Sequence, residues 1–335
     1  MKTYLLFLCM ISGFHQGCQH IDHASYPHPG RESISRTLVV ARDGSGDFTS
    51  VQAAIAAVPD STTDSTYIYI KNGVYREKII IPASKRFIKL VGQNVDSVIL
   101  VYDDYASKPD STGRPIGTSG SASVYIYASD VVAENITFQN DAGPVGQAVA
   151  AYVAGDRVYF YHCRFLGFQD TLYTGNPELS QSRQYYRDCE IEGTTDFIFG
   201  SATAVFDHCV IYCKAGGHYI TAASTPQGHL YGYVFLHCHI TGNAPPHSFY
   251  LGRPWRPYAR VVFLYCQLDD MIAPEGWSNW HDTQNYLTAY YAEYQNTGPG
   301  YQPQQRVSWA HQLTDEEAAH YTPAEIFGDW HPMDE

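Results

Sequence analysis

The sequence predicts an all-β fold, a right-handed, single-stranded parallel β-helix with short capping helices at both ends. Three observations carry this. Five cysteines share one local context, Tyr161-His162-Cys163, Arg187-Asp188-Cys189, Asp207-His208-Cys209, Leu236-His237-Cys238 and Leu264-Tyr265-Cys266. With Asn135 placed ahead of them they recur at intervals of 28, 26, 20, 29 and 28 residues, and repeats of about 20 to 50 residues mark solenoids. Each unit carries a segment of period-two alternation, such as Val158-Tyr159-Phe160-Tyr161, Ala204-Val205-Phe206 or Val261-Val262-Phe263-Leu264, bounded by Gly, Asn, Asp and Pro. No helical segment long enough for a crossover intervenes. Loops of unequal length on one side of the stack absorb the varying intervals, and they would line a long groove suited to a polymer.

In chain order, residues 1–18 read as an export leader. Only Lys2 is charged there, and Tyr4 to Phe14 is an apolar run too short to span a bilayer. Gly17-Cys18-Gln19 resembles the processing site of bacterial lipoproteins, although His15 departs from that pattern. Two outcomes stay open: ordinary cleavage near Cys18, or a lipid anchor on Cys18. Residues 19–35 form a linker and 36–335 a single domain. The chain is expected outside the cytoplasm, as a secreted, periplasmic or lipid-anchored outer-membrane-surface monomer. No later stretch is long and apolar enough for a membrane helix.

Ser50 precedes Val51, Ile55 and Val58 at helical spacing, an amphipathic helix to cover the first coil. Near the other end, Thr314-Asp315-Glu316-Glu317 and Thr322-Pro323-Ala324-Glu325 both carry a capping box, the second with Pro at the first helical position. Two short helices are expected over the last coil, where an open stack would expose apolar surface and strand edges. The six cysteines beyond the leader read as small buried side chains, five of them in one column, with disulfides the lesser alternative. Asn135-Ile136-Thr137 fits a glycosylation sequon, but Asn135 is placed in the buried column. Glu77, in Gly73-Val74-Tyr75-Arg76-Glu77, is expected to satisfy backbone or Arg groups near the first coils. Trp277, Trp280 and Trp309 are read as packing residues.

The formal net charge of −13, with 21 basic residues, gives no basic patch of the kind nucleic acid needs. His237-Cys238-His239 looks like a ligand cluster, yet on a strand Cys238 faces away from both histidines. Gly117-Thr118-Ser119-Gly120-Ser121 is not a Gly-x-Ser-x-Gly elbow, and a β-helix has no strand-to-helix turn to expose a serine. The chemistry is expected at Asp170 and Asp196 instead. They lie 26 residues apart, each seven residues after a column cysteine, Cys163 and Cys189. On neighbouring strands of a parallel stack they would stand roughly 5 Å apart. Two carboxylates that close cannot ionise independently, so one pKa is driven up while the other stays low, giving an acid and a nucleophile from one residue type.

Five stretches in order, Gly73-Val74-Tyr75-Arg76-Glu77, Gly146-Gln147-Ala148-Val149-Ala150, Gly167-Phe168-Gln169-Asp170-Thr171-Leu172, Asp196-Phe197-Ile198-Phe199-Gly200 and Leu251-Gly252-Arg253-Pro254-Trp255, resemble the pectin methylesterases, the pectinesterase family of carbohydrate esterases, over about residues 36 to 330. The resemblance implies a parallel β-helix enzyme that hydrolyses methyl esters of polygalacturonate and needs no metal or cofactor. It implies Asp196 as nucleophile and Asp170 as general acid and base. Gln147 and Gln169 would serve as oxyanion donors, and Arg253 would orient Asp196. Trp255, Phe199 and Tyr173 resemble the family's sugar-stacking residues. Methyl-esterified pectin (homogalacturonan) is the partner so implied. Two competing readings remain. A Ca²⁺-dependent lyase would want a clustered acidic site with a basic residue, which is not found. A non-catalytic polysaccharide-binding β-helix should lack one of the two aspartates. Beyond residue 18 the chain carries 20 basic and 34 acidic residues, a formal −14, which should repel a polyanionic product unless the groove is locally basic.

Overall fold

The computed structural model describes residues 34–175 and 181–334. The leader, Cys18 and nearly all of the linker lie outside the described residues. Among the described residues the chain winds into a right-handed parallel β-helix of three sheets with eleven, eight and seven strands, every pairing parallel. Each central coil gives one strand to each sheet. Arg183–Arg187, Glu190–Gly193 and Thr195–Gly200 make one coil, and Thr203–Asp207, Val210–Cys213 and Tyr219–Ala223 the next.

Period-two alternation turns one side chain in every two inward, and parallel register then stacks like on like. Phe160, Tyr186, Phe206, Phe235 and Phe263 form a fully buried aromatic column, with successive ring centroids 4.9, 4.8, 4.6 and 4.2 Å apart. Cys163, Cys189, Cys209, Cys238 and Cys266 form a second column, all buried as free thiols, as is Cys213. Each column thiol donates to a carbonyl of the coil before it, as Cys238 Sγ does to Phe206 O at 3.2 Å. His237 stacks between His208 and Tyr265 on the outside while Cys238 faces in, so this triplet does not converge on a metal.

Asn135 does not belong to the cysteine column. Arg164 pairs with Thr137, which sets Cys163 opposite Ile136. Asn135 instead shares a left-handed turn position with His162, Asp188, His208, His237 and Tyr265, at φ of 49° to 57°, and its Oδ1 lies 2.7 Å from His162 Nδ1. The physical reason is the turn: one residue must take φ > 0, which Asn tolerates, and the next one points inward.

The first helix, Val51–Ala57, buries Val51, Ala54 and Ile55 and is capped by Ser50, which accepts from Ala53 N. Glu77 completes that cap from another coil. Its carboxylate accepts from Ser50 Oγ at 2.6 Å, Val51 N at 2.9 Å and Gln52 N at 3.1 Å, serving donors that the first helical turn cannot satisfy itself. The C-terminal helices, Asp315–Ala318 and Pro323–Phe327, form with the expected threonine caps. They do not sit over the last coil. Ala318, Ile326, Phe327 and Trp330 pack along the outer face of the eleven-stranded sheet, against Tyr159, Tyr185, Val205 and Val234. That face is apolar on its outside as well as its inside and has to be covered. Tyr301, Val307 and Trp309 pack onto the core at the far end of the stack.

Replacing Glu77 by Ala is expected to cost about 1–3 kcal/mol, because three donors lose a charged acceptor together. Urea unfolding measures it, and an unshifted midpoint would mean that water serves the helix start equally well.

Candidate active site

The site lies on the outer face of the seven-stranded sheet. Leu172 pairs with Ile198 and Tyr173 with Phe199, so Asp170 and Asp196 occupy equivalent positions of consecutive coils, as their 26-residue spacing implies. Asp170 has φ 64° in the turn before strand Leu172–Thr174, and its N–H donates to Thr195 O at 3.1 Å. Asp196 has φ 50° at a break in register between Thr195 and Ile198. Such a bulge re-aims a side chain that regular pleating would send elsewhere.

Gln147 and Gln169 bridge each other in parallel fashion one coil apart. Arg253 comes from strand Tyr250–Pro254, two coils beyond Asp196. Its Nε donates to Asp196 Oδ1 at 3.0 Å and its Nη2 to Oδ2 at 2.6 Å, the two-pronged geometry that fixes a carboxylate in both position and rotation. The guanidinium carbon lies 4.0 Å from the Tyr219 ring centroid and 4.2 Å from that of Trp280. Gly252 lets the coils close here, since a Cβ at that position would meet Thr221 Oγ1 at 1.9 Å.

All eight residues singled out from sequence, Asp170, Asp196, Gln147, Gln169, Arg253, Trp255, Phe199 and Tyr173, line one cleft of about 470 Å³. Tyr152, Tyr173 and Phe199 stack along the sheet at 4.3 Å intervals, and Trp255 meets Phe199 edge-on. Trp280, read from sequence as packing, is a cleft residue, joined by His281, Thr118 and Ser119. Trp280 follows no repeat signal, because it stands in a long connection whose path no periodicity records. Trp277, three residues earlier, is buried against Phe263 and Tyr291 as expected. A second hollow of about 550 Å³, near Asn135, His162 and Asp188, has its Arg164 already paired with Asp96 and Glu190, and the matched carboxylates are absent from it.

Burial raises the Asp170 carboxyl well above the usual carboxylate range. The charge of Asp196 adds to this, and Arg253 opposes it. Burial raises Asp196 as well, against the expectation that one member would stay low. There the Arg253 fork opposes burial through hydrogen bonds and charge. The pair therefore divides by order: Asp196, held by the guanidinium, ionises first, and Asp170 keeps its proton beside the resulting charge.

A solenoid whose open face carries two unequal carboxyls beneath a wall of sugar-sized aromatic rings belongs with the β-helical carboxylic ester hydrolases of polysaccharides. The pectinesterase family model matches residues 37–329, and the chain belongs to that family. It is 45% identical over 295 residues to pectinesterase 31 of Arabidopsis thaliana, covering 86% of this chain and 91% of that protein. Among solved structures, it is similar to the pectin methylesterase from carrot (33% identity, TM-score 0.81, 92% of this chain and 98% of that one). A pectin methylesterase in complex with a hexasaccharide is also similar (29% identity, TM-score 0.75, 90% and 98%).

The raised Asp170 has a stability consequence of definite sign. The folded state holds its proton more tightly than the unfolded chain. The associated stability is thus fully present below the unfolded value of about 3.9 and is lost as pH rises through the folded value. Asp170→Asn is expected to melt above the wild type at pH 7, with the gap closing toward pH 4. A variant that melts lower at pH 7 would contradict this.

Proposed function

We propose that this chain demethylates pectin, with Asp196 as nucleophile and Asp170 as general acid and base. The two-pronged Arg253–Asp196 contact beside a carboxyl that retains its proton carries the reading. The ionised Asp196 attacks the methyl-ester carbonyl of a galacturonate unit. The side-chain amides of Gln147 and Gln169 donate to the oxyanion as it forms. Asp170 gives its proton to the departing methanol and becomes the base that takes a proton from water. That water opens the acyl-enzyme, Asp196 leaves as a carboxylate, and Asp170 is protonated again. Trp255, Phe199 and Tyr173 offer faces to the sugar rings, and the hexasaccharide bound by a relative of the same fold supports a groove for several units. In the same reading residues 1–18 export the chain, residues 19–35 link, and residues 36–335 form a catalytic domain that works as a monomer outside the cytoplasm. Cys18 then marks either an ordinary cleavage point or a lipid anchor.

Methanol release from highly methylated pectin tests this directly. Asp196→Asn and Asp170→Asn are each expected to lose about three orders of magnitude or more in kcat while staying folded. Arg253→Lys should lose about 10²-fold, since a point charge cannot reproduce the fork that aims Asp196. Near wild-type turnover in either aspartate variant would sink the assignment. The reaction needs Asp196 ionised and Asp170 protonated. The rate should therefore rise as pH passes the raised pKa of Asp196 and fall as it passes the still higher one of Asp170. A kcat/KM profile that climbs steadily into the alkaline range would contradict the shared-proton scheme.

A further inference from the structure

Besides Arg253, the cleft is lined by a second basic side chain, His281. Its backbone takes φ 48°, a left-handed conformation that His, Asn and Asp adopt more readily than most residues. The turn around it is pinned. Asn279 Nδ2 donates to His281 O at 3.1 Å and to Thr283 O at 2.6 Å, while Thr283 N and Oγ1 donate to Trp280 O at 3.1 and 2.7 Å. The turn is also tied to the strand that carries Arg253, because Ser278 N donates to Gly252 O at 3.1 Å. The His281 ring meets Trp280 edge-on with centroids 5.3 Å apart, and Trp280 lies over the Arg253 guanidinium. Burial is the strongest influence on the Asp196 carboxyl and raises it; the Arg253 fork opposes burial, and the charge of His281 opposes it as well. The other charged or titratable groups around His281 are Asp170, Tyr173 and Arg253 in the cleft and Asp282 beside it in the chain.

We propose that His281 is a positioning residue for the reaction, whose imidazolium joins Arg253 in keeping Asp196 a carboxylate and so carries turnover to more acid pH than the guanidinium alone would allow. This rests on the reading of Asp196 as nucleophile given above. Imidazole ordinarily gains its proton between about pH 5 and 8, so the second cation arrives as the solution turns acid, when the nucleophile most needs it. Arg253 keeps its charge throughout. What the imidazolium meets as Asp196 ionises is therefore one new negative charge, and the attraction favours the ionised form. Because His281 is exposed and Asp196 buried, the effect is that of one partly screened charge and adds to the fork without replacing it.

The pH profile of methanol release from highly methylated pectin by the full chain tests the proposal. His281→Asn removes the charge with a residue that still accepts φ > 0. It is expected to move the acid limb of kcat/KM up by about half a pH unit, or about threefold in rate at a fixed pH on that limb. The ratio of variant to wild-type rate should climb to a constant value above about pH 7, where the imidazole has lost its proton. His281→Lys should return the limb to the wild-type position, and added salt should narrow the gap between wild type and the Asn variant. The carboxyl signal of Asp196, followed by NMR in the resting protein and identified by its loss in Asp196→Asn, should titrate at higher pH in the Asn variant, a readout that needs no turnover. Superimposed acid limbs would overturn the proposal, as would a loss of equal size at every pH or a Lys variant whose limb stays with that of Asn. Retained turnover in Asp196→Asn would instead overturn the nucleophile reading, whereas failure of the proposal leaves that variant inactive.

Discussion

The inter-coil hydrogen-bond register is the constraint on which the rest depends. A one-residue slip in a parallel ladder turns every inward side chain outward, so the aromatic column from Phe160 to Phe263 and the cysteine column beside it fix each coil against its neighbours. The same register that stacks Phe160 on Tyr186 sets Asp170 beside Asp196 on the opposite side of the coil. The packed core and the paired carboxyls are two faces of one alignment. A core in which each ring sits on a like ring leaves little freedom to slide, and the separation of the two carboxyls inherits that rigidity.

The site works against the fold locally. Both aspartates hold left-handed backbone conformations and both lose hydration, each at a cost of order 1 kcal/mol or more. Placing this strain on the outer face of one sheet keeps it away from the core columns. Arg253 offsets part of it by satisfying both oxygens of Asp196, and the rings of Tyr219 and Trp280 close over the guanidinium and limit competition from water.

Much of this was legible in the sequence because a solenoid writes its geometry as spacing. The 26-residue interval shared by Cys163–Cys189 and Asp170–Asp196 carried both the fold and the carboxylate pair, and the threonine and serine caps marked each helix start. What spacing could not reveal were features with no period. Asn135 and Ile136 differ by one position across a turn, and only hydrogen-bond partners show which of them points inward. The C-terminal helices start where their caps lie, yet their destination depends on which sheet face is left apolar. Trp280 reaches the cleft along an irregular connection. The pKa order of the aspartates was foreseeable, but the rise at Asp196 was not, because burial depth is a property of the assembled coils.

Arg253 stands 57 residues beyond Asp196, on the far side of an intervening coil whose Tyr219 braces it. A ribosome that has delivered the chain only as far as residue 250 has supplied both carboxyls, both amides and most of the aromatic wall, but not the guanidinium that holds Asp196. Because each coil rests on the previous one, the last component arrives after its foundation is laid. The polypeptide therefore carries its paired carboxyls without their cation through most of its own synthesis, and the two-pronged contact closes in a single late step.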